Sequence, residues 1–377
     1  MKVLVAGDFC DKLRVSQRIK EGNYAEFFSG VRDIINSVDY SIVNFEFPIV
    51  QTKGMPIPKC GPNLKGQRQS VEAVKYAGFK CCTLANNHIL DQGEQCALDT
   101  KQFIEEAGID TVGLGENKQI AKRILYKEIA GDTLAIINCC EHESSVATDS
   151  SVGANALDPV HQYYSIQEAR KKADYVLVIV HGGHELFQLP SHRMKEAYRF
   201  FIDAGADAVV NHHQHCYSGY EEYNGKPIFY GIGNFFFDRR ETQNKPWNYG
   251  YMVALDFSNG KVAYELYPYS QCNPKVSVEL LNESDSNDFR QKIMALNDVI
   301  SDDFKLSVAI KDYYGRRASD ELYLLEPYEG KVLQKLFLCG FLPSFVKRKV
   351  NVILNHLECE SHRDKMLYAL KKKRDEI

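Results

Sequence analysis

Residues 208–215 read AVVNHHQH, an apolar run that ends in three histidines. Four other stretches have the same design, because each is a short apolar run that stops on a residue able to bind a metal. They are VLVAGD ending at Asp8, SIVNFE ending at Glu46, CCTLANNH ending at Asn87 and His88, and VLVIVH ending at His181. Such runs predict buried strands, and open α/β sheets carry their chemistry at the carboxyl ends of strands. The five stretches therefore predict an α/β fold with these side chains gathered at one edge.

The side chains at these strand ends predict a metal site. Carboxylate, amide and imidazole groups together suit Mn, Fe or Zn. In an extended segment, His213 and His215 would face one side and His212 the other. A buried imidazole needs a partner for each ring nitrogen, which disfavours a purely structural role for the histidine run. Taken singly, Asp8 and Asn87 have a structural alternative, since Asp and Asn are common turn and cap residues.

Six motifs resemble, in order and spacing, the CapA family, which is named for poly-γ-glutamate capsule synthesis and looks like a branch of the calcineurin-like metallophosphoesterases. The motifs are GDFC (7–10), NFEFP (44–48), LANNHILDQG (84–93), HGGHE (181–185), NHHQH (211–215) and YGIGNFFFD (230–238). The pattern LANNHxxDxG is the most specific of them. The resemblance covers roughly residues 1 to 270. It implies a metallophosphoesterase-like α/β (α+β) fold, a two-sheet sandwich flanked by helices.

The resemblance also implies a role for each matching residue. It implies that the metal ligands are Asp8 of the first motif, Glu46 as bridging carboxylate, Asn87 as amide ligand, His181, and the pair His213 and His215. His88 would be the catalytic histidine, which faces the leaving group and binds no metal.

Two positions depart from the metallophosphoesterase pattern. The first motif of those enzymes is D-x-H, whereas here Cys10 stands at the histidine position. A thiol is a softer ligand than Mn or Mg prefers. Glu46 is one methylene longer than the usual bridging aspartate, which would change the spacing between metals. We therefore expect one divalent ion to bind firmly, and a second to bind weakly or not at all.

Other polar residues in the motifs are expected to support the ligands or contact the substrate. Asp91 is placed either to cap the next helix or to orient His88, and the cap is the preferred interpretation. His184 and Glu185 follow His181, where a carboxylate can hold a ligand imidazole. Asn234 and Asp238 belong to the last motif. Its glycines, Gly231 and Gly233, allow close backbone approach.

Composition favours a soluble enzyme with one main domain. The chain has 377 residues, a net charge of -4 and 44% hydrophobic residues, which is enough for a sizeable core. This charge argues against nucleic-acid binding, and no apolar run reaches the roughly 20 residues of a membrane span. Met1 leads directly into the first motif without a signal peptide, so we expect a cytoplasmic protein. The 11 cysteines show no CxxC framework, and most are expected to be free and buried.

The order of patterns along the chain predicts its organisation. Helical spacing in 25–36, 68–77, 96–108 and 165–174 alternates with strand-like runs, which include 133–141, 227–233 and 251–257. The stretches YNGK (223–226) and SNGK (258–261) predict hairpin turns. The predicted domains are residues 1–270 and a C-terminal helical extension, residues 275–377. GLGENK (113–118) lacks the spacing of a nucleotide-binding loop.

The C-terminal extension is both basic and amphipathic. Residues 344–374 combine apolar residues at helical spacing with many lysines and arginines. Such helices can lie on a membrane surface, so peripheral membrane contact is one prediction for this segment. The alternative is that the helices pack on their own domain.

Together these patterns predict a metal-dependent hydrolase of the CapA-like metallophosphoesterase type, with a part in capsule or exopolymer biosynthesis. Its substrate would be a small molecule, a polymer or a peptide. The metal would activate water and stabilise charge on a phosphoryl or carbonyl oxygen, and His88 would serve as general acid. Two alternatives stay open: a metal-dependent peptide epimerase on the same scaffold, and a non-catalytic assembly protein.

Overall fold

The apolar runs that end on metal-binding residue types form strands or strand ends in the computed structural model of the chain, which describes residues 1–239 and 242–375. The strands, in chain order, are β1 (Lys2–Cys10), β2 (Tyr40–Phe45), β3 (Cys81–Thr83), β4 (Asp110–Val112), β5 (Leu114–Gly115), β6 (Leu125–Ile129), β7 (Asp132–Cys140), β8 (Gly153–Ala154), β9 (Tyr175–His181), β10 (Ala208–His212), β11 (Tyr220–Tyr223), β12 (Lys226–Phe229), β13 (Asn234–Phe237), β14 (Tyr249–Ser258), β15 (Lys261–Gln271) and β16 (Val278–Leu280).

Helices separate many of these strands, as the alternating patterns predict. They are α1 (Arg14–Glu21), α2 (Ala25–Phe28), α3 (Arg32–Asn36), α4 (Gln69–Ala77), α5 (Glu94–Glu106), α6 (Lys118–Ala121), α7 (Pro159–Arg170), α8 (His192–Asp203), α9 (Glu283–Ser301), α10 (Asp303–Tyr323), α11 (Lys331–Leu338), α12 (Val346–Glu358) and α13 (Glu360–Asp375). A short 3-10 helix covers Pro246–Asn248.

Two large sheets hold most of the strands in the described part of the chain. The first has the order β16-β15-β14-β1-β2-β3-β4, with β13 also paired to β1, and the second has the order β11-β12-β10-β9-β7-β6. Within the first sheet β1, β2 and β3 run parallel. Within the second, β7, β9 and β10 also run parallel. Each sheet therefore has one edge at which several strand carboxyl ends meet.

The apolar core fills the space between the two sheets and the space beneath the helices. Val5 and Ile42 of the first sheet belong to the same buried cluster as Leu177 and Val210 of the second. A second buried cluster joins the other face of the first sheet to helix residues such as Phe28. Helices α7 and α8 contact β9 and β10. The predicted two-sheet sandwich flanked by helices is therefore confirmed.

Both predicted hairpin turns are present. Tyr223 pairs with Lys226 across the turn between β11 and β12, and Ser258 pairs with Lys261 between β14 and β15. The asparagines of the two turns have positive φ angles, as Asn-Gly hairpin turns require. These turns fix the register of both hairpins.

Two predicted elements are shorter than the sequence pattern suggested. The helix predicted over 25–36 is divided into α2 and α3, and Gly30 lies in the break, where a Cβ atom would meet a Glu279 oxygen at 2.2 Å. The strand predicted over 227–233 ends at Phe229. The chain then crosses to the first sheet, where β13 begins at Asn234 and pairs with β1.

The described chain divides into two compact units, residues 1–306 and residues 307–377. The first contains both sheets. From α9 onward the described chain is helical, as predicted for the C-terminal extension. Residues 278–280 of the predicted extension instead form β16, which pairs with β15. The division into domains at residues 270–275 stays a prediction. Among the described residues no helix is both long enough and apolar enough to cross a bilayer.

Candidate metal centre

The carboxyl ends of strands from both sheets place the predicted ligands in one region. The first sheet supplies Asp8 at the end of β1, Glu46 just after β2, and Asn87 in the segment after β3, and the second supplies His181 at the end of β9 and His213 and His215 just after β10. All six side chains are buried. The sheet sandwich thus brings together residues that are far apart in the chain.

A close backbone contact fixes the position of Asp8. A Cβ atom on Gly7 would lie 1.9 Å from the carbonyl oxygen of Gly233, so no other residue fits there without movement. That same oxygen accepts a hydrogen bond from the backbone N–H of Asp8 at 3.3 Å. A Cβ atom on Gly231 would meet Gln214 Oε1 at 2.1 Å. The predicted close backbone approach is present at Gly233, where a Cβ atom would meet the carbonyl oxygen of Tyr249 at 2.8 Å, whereas the nearest atoms at Gly231 belong to side chains.

Asp8, Glu46 and His181 form the centre of the site. One possible ligand atom from each lies within 4.8 Å of the others. Asn44, inside β2, donates from Nδ2 to Asp8 Oδ1 at 2.8 Å and lies 3.2 Å from His181 Nδ1. Asn44 thus holds the carboxylate of one sheet against the imidazole of the other.

One carboxylate oxygen of Glu46 has no hydrogen-bond donor. Its Oε1 is buried and accepts no hydrogen bond from the described residues. It lies 3.5 Å from His215 Nε2 and 3.9 Å from His181 Nε2. Burial raises the pKa of Glu46, and the neighbouring carboxylates of Asp8 and Glu185 raise it further. The ionised form of Glu46 therefore needs a cation at Oε1.

The paired histidines contact different groups. His215 lies on the Asp8 side, with Nδ1 3.4 Å from Asp8 Oδ2. His213 lies on the His181 side, with Nδ1 3.1 Å from His181 Nε2. That same His181 nitrogen lies 3.0 Å from Asn87 Oδ1. The donor atoms therefore form two adjacent groups, and Glu46 Oε1 lies within 4 Å of an imidazole nitrogen in each.

The backbone conformation of the histidine segment differs from the prediction. His213 and His215 have φ angles of 83° and 53°, so they lie in a bend and not in an extended segment. Both side chains still reach the site, but alternation along a strand is not the cause. Positive φ in a residue other than glycine is strained, and such strain concentrates at functional sites.

His212 makes a hydrogen bond to the backbone of the other sheet. It is the last residue of β10, and its Nε2 donates to the carbonyl oxygen of Ala6 in β1 at 2.9 Å. This hydrogen bond connects the two sheets directly beside the site. His212 therefore has a structural contact between the two sheets.

The carboxylate of Asp8 in the first sheet and the imidazoles of the second sheet alter one another's pKa values. Burial disfavours ionisation of Asp8, but its hydrogen bond with His215 and the nearby imidazoles outweigh burial and lower its pKa below the ordinary value. Burial also disfavours the cation of His215, yet Asp8 raises the pKa of that imidazole. Burial and His213 lower the pKa of His181. The site therefore contains an ionised Asp8 and a neutral His181, which is the form that binds metals.

His88 forms a dyad with Asp91. Its Nδ1 donates to Asp91 Oδ2 at 2.6 Å, and burial lowers its pKa. The preferred interpretation of Asp91 as a helix cap is wrong, because α5 begins after Gly93 and has no side-chain cap. Asp91 is instead fully buried. Its carboxylate orients His88, which was the alternative.

A cavity of about 520 Å³ opens onto the site. Asn87, His88 and His215 line it together with Phe237 and Trp247. The ring centroid of His215 lies 4.9 Å from that of Trp247. A bound molecule in this cavity would touch both a predicted metal ligand and His88.

The remaining predicted residues differ in what they contact. Asn234 accepts a hydrogen bond from His215 Nδ1, and Glu185 lines the cavity. His184 packs near Phe187, with ring centroids 6.4 Å apart. Asp238 also lines the cavity.

Asp238 and Cys10 make contacts that stabilise the fold. Arg14 binds the Asp238 carboxylate, with one nitrogen–oxygen distance of 2.6 Å. Cys10 belongs to the apolar cluster beneath the helices, and burial raises the pKa of its thiol.

Sequence reasoning missed three residues of the site. Glu143 accepts a hydrogen bond from Asn87 Nδ2 at 3.3 Å, and its other oxygen lies 3.7 Å from His213 Nε2. Lys59 lies 3.2 Å from His88 Nδ1. Glu143 and Lys59 belong to loops without a motif, so only the fold brings them here. Asn44 carried a usable signal, since it is an amide inside an otherwise apolar strand.

Comparison with known proteins agrees with the motifs. The family model "Bacterial capsule synthesis protein PGA_cap" matches residues 2–239. The capsule biosynthesis protein CapA of Bacillus anthracis is 32% identical over 253 residues, which cover 65% of this chain and 62% of that protein. The PGA biosynthesis protein CapA of Bacillus subtilis (strain 168) is 33% identical over 236 residues, which cover 62% of each chain. The matches thus span less than two thirds of either relative's length.

One solved structure, of a hypothetical protein from Thermus thermophilus, is similar with a TM-score of 0.45 and 18% identity. The similarity covers 72% of this chain and 99% of that chain. A TM-score at this level carries no argument about function.

Proposed function

The chain belongs to the bacterial capsule synthesis family PGA_cap, and on that premise we propose that it is a metal-dependent hydrolase of the metallophosphoesterase type that acts in capsule or exopolymer biosynthesis. Its proposed substrate is a polymer or peptide. The names of two relatives refer to capsule and PGA biosynthesis, and we extend that context to the present chain.

One observation carries the proposal, the unsatisfied oxygen of Glu46. Buried polar atoms in proteins nearly always have a partner, and an exception needs an explanation. Glu46 Oε1 is buried without a hydrogen bond from any residue that the structure describes, and it lies within 4 Å of imidazole nitrogens of His215 and His181. A divalent cation would satisfy this oxygen and neutralise the repulsion between the carboxylates of Glu46 and Asp8.

The donor set fits such a cation. Asp8, Glu46 and His215 would hold an ion on one side, and Glu46, Asn87, His181 and His213 would hold an ion on the other. Mixed oxygen and imidazole ligands suit Mn, Fe or Zn. A bound divalent ion lowers the pKa of water and stabilises negative charge that develops on a phosphoryl or carbonyl oxygen.

His88 is proposed to move the proton. Asp91 accepts from Nδ1, so Nε2 is the ring nitrogen that can exchange a proton with a bound group. His88 also lines the cavity, together with the predicted ligand Asn87. To protonate a leaving group as its bond breaks, Nε2 must carry a second ring proton, so His88 would act as the imidazolium, the form that the Asp91 carboxylate stabilises.

Two cationic side chains of the cavity favour an anionic substrate, although the carboxylates of Glu143, Glu185 and Asp238 also line it. Lys12 and Arg239 both line it, and each lies over an aromatic ring, Phe237 at 6.0 Å and Trp247 at 5.0 Å. These rings hold the cations beside the site. A chain of carboxylates or a phosphate ester would match their charge.

The proposal is tested by metal analysis followed by an activity screen. Purified protein should contain Mn, Fe or Zn by mass spectrometry, and should hydrolyse phosphate esters or γ-glutamyl peptides when Mn or Zn is supplied. The variant His215→Ala should lose both properties. A matched control is His161→Ala, because the side chain of His161 is 61% exposed on α7.

Other results would favour the alternatives. Exchange of an α-carbon proton with heavy water, without hydrolysis, would indicate an epimerase. Bound metal without either reaction would indicate an assembly protein. Purified protein that neither contains nor binds a divalent metal would overturn the proposal.

A further inference from the structure

The loop of residues 51–66, between β2 and α4, turns one cationic side chain inward. Most of this loop is exposed, including Lys53 and Met55. The side chain of Lys59, in contrast, is only 3% exposed. Burial of an ammonium group costs free energy unless the group is fully paired, so the inward position of Lys59 requires strong partners.

The partners of Lys59 all belong to the motif LANNHILDQG. Its Nζ donates to Asp91 Oδ1 at 2.5 Å and to the carbonyl oxygen of Asn87 at 3.5 Å. It also lies 3.2 Å from His88 Nδ1. The ammonium group therefore touches the residue that orients His88, His88 itself, and the backbone of a predicted metal ligand.

Asp91 connects this loop to His88. One carboxylate oxygen binds Lys59, while the other accepts from His88 Nδ1 and from the backbone N–H of Leu64, each at 2.6 Å. The next residue, Gln92, accepts from the N–H of Met55 through its carbonyl and donates through its side chain to Leu64. The second half of the motif thus holds both ends of the loop.

We propose that Lys59 is a positioning residue for His88. Its ammonium group fixes the Asp91 carboxylate in the rotation that places Oδ2 against His88 Nδ1. His88 Nε2 is then the nitrogen available to the cavity. The kinetic part of this inference rests on the proposed function, whereas the positioning of the imidazole does not.

The same loop forms a wall of the cavity. Lys59, Cys60 and Pro62 line it together with His88 and His215. A molecule that fills the cavity would therefore touch the loop that carries Lys59. Withdrawal of the loop would remove Lys59 and release Asp91, so His88 is aligned only while the loop is in place.

The variant Lys59→Met tests the positioning directly, because it keeps the length of the side chain and removes the charge. In proton NMR spectra of the full chain, the Nδ1–H of His88 should give a signal protected from exchange with solvent, assigned by its absence in His88→Gln. In Lys59→Met that signal should be lost through faster exchange. Lys53→Met is the matched control, since Lys53 is exposed in the same loop, and it should keep the signal.

A kinetic double-mutant cycle provides the second test. With a substrate found by the screen, Lys59→Met should lower kcat by about 10- to 100-fold, the cost of misplacing a catalytic group by about 1 Å, and leave KM nearly unchanged. Asp91→Asn should have a similar effect. Because both residues act through one carboxylate, the double variant should be no slower than the slower single variant.

The two tests distinguish failure of the positioning role from failure of the proposed function. An unchanged His88 signal in Lys59→Met would overturn the positioning role whether or not the protein is a hydrolase. If the signal is lost but no substrate is ever hydrolysed, the positioning inference stands and the proposed function fails. Fully additive effects on kcat would also contradict the shared carboxylate.

Discussion

The side chain of Asn234 holds His215 from both ends. Its Oδ1 accepts from His215 Nδ1 at 2.9 Å, and its Nδ2 donates to the carbonyl oxygen of His215 at 3.1 Å. This pair of contacts assigns the proton of the imidazole to Nδ1. Nε2, which lies 3.5 Å from Glu46 Oε1, is then the nitrogen that would give up any proton and bind a metal.

Replacement of Asn234 by alanine should weaken metal binding without removing a ligand. We expect the affinity to fall by about 10- to 100-fold, which is typical when the partner of a ligand imidazole is lost. Titration of metal-free protein with Zn or Mn measures the change. An affinity equal to that of wild type would show that Asn234 does not orient His215.

The three neighbouring histidines should separate into two classes. His213→Ala and His215→Ala each remove a predicted ligand, so metal affinity should fall by more than the roughly 100-fold upper range for ligand-supporting residues. His212→Ala should keep its metal. It should unfold at a lower temperature, because the carbonyl of Ala6 loses its buried hydrogen bond. Metal loss in His212→Ala, with retention in either of the others, would contradict the assignment.

Removal of the His88 imidazole should affect turnover and not metal content. We expect His88→Ala to lower kcat by about two to four decades, the usual contribution of general acid catalysis. Its metal content should stay near that of wild type, because the imidazole is held through Nδ1 by Asp91 and not by a predicted ligand side chain. Metal analysis and kinetic measurements on the same preparation test both expectations. Metal loss would make His88 a ligand.

The thiol of Cys10 should not be needed for metal binding in the wild-type protein. Its side chain is fully buried in an apolar cluster, so Cys10→Ala should leave the metal-to-protein ratio unchanged. Cys10→His would add an imidazole, the better ligand for Mn, Fe or Zn. It should raise the ratio or tighten binding, provided that unfolding measurements show the larger side chain to be tolerated. Two tightly bound ions in the wild type would contradict this prediction.

The C-terminal helices should bind anionic membranes. Helix α12 carries Lys347, Arg348 and Lys349 in its first turn, and its apolar side chains Val352 and Leu357 are 56% and 59% exposed. Basic amphipathic helices of this kind bind anionic lipid surfaces through both charge and apolar contact. Sedimentation with vesicles of phosphatidylcholine, with and without phosphatidylglycerol, measures the binding.

The charge dependence of this binding provides the control. Replacement of the three basic residues of α12 by glutamine should abolish binding to the anionic vesicles. The same replacement of Lys122, Lys171 and Lys172, which are exposed in the first unit, should preserve it. Equal binding by both triple variants, or binding by neither wild type nor variants, would rule out a membrane surface at α12.

Several features of the fold follow from local sequence alone. The strands that carry Asp8 and His181 are buried on both sides, so an apolar run that ends in a polar residue identifies both the strand and its end. The Asn-Gly hairpin turns are equally local, because few other residue pairs adopt two successive positive φ angles. Because these elements depend on neighbouring residues only, they can be predicted from short stretches of sequence.

Other features could not be predicted from the sequence, because they depend on residues that are distant in the chain. The break at Gly30 depends on Glu279, whose side chain would meet a Cβ atom there. Asp91 could cap a helix or orient an imidazole, and only the position of Lys59 and Leu64 determines which. The bend at His213 and His215 likewise depends on the close approach of the two sheets.

The sequence by itself determined which residue types end the strands, and hence that carboxylates, an amide and imidazoles meet at one edge. Hydrophobic periodicity and chain direction are local properties, and they suffice for this conclusion. Only the tertiary structure decided the contacts among those side chains. Within the described part of the chain, Glu46 Oε1 is left without a donor, Asp238 is bound by Arg14, and Lys59 reaches His88. Each of these depends on the packing of segments far apart in the chain, and no spacing within one segment encodes it.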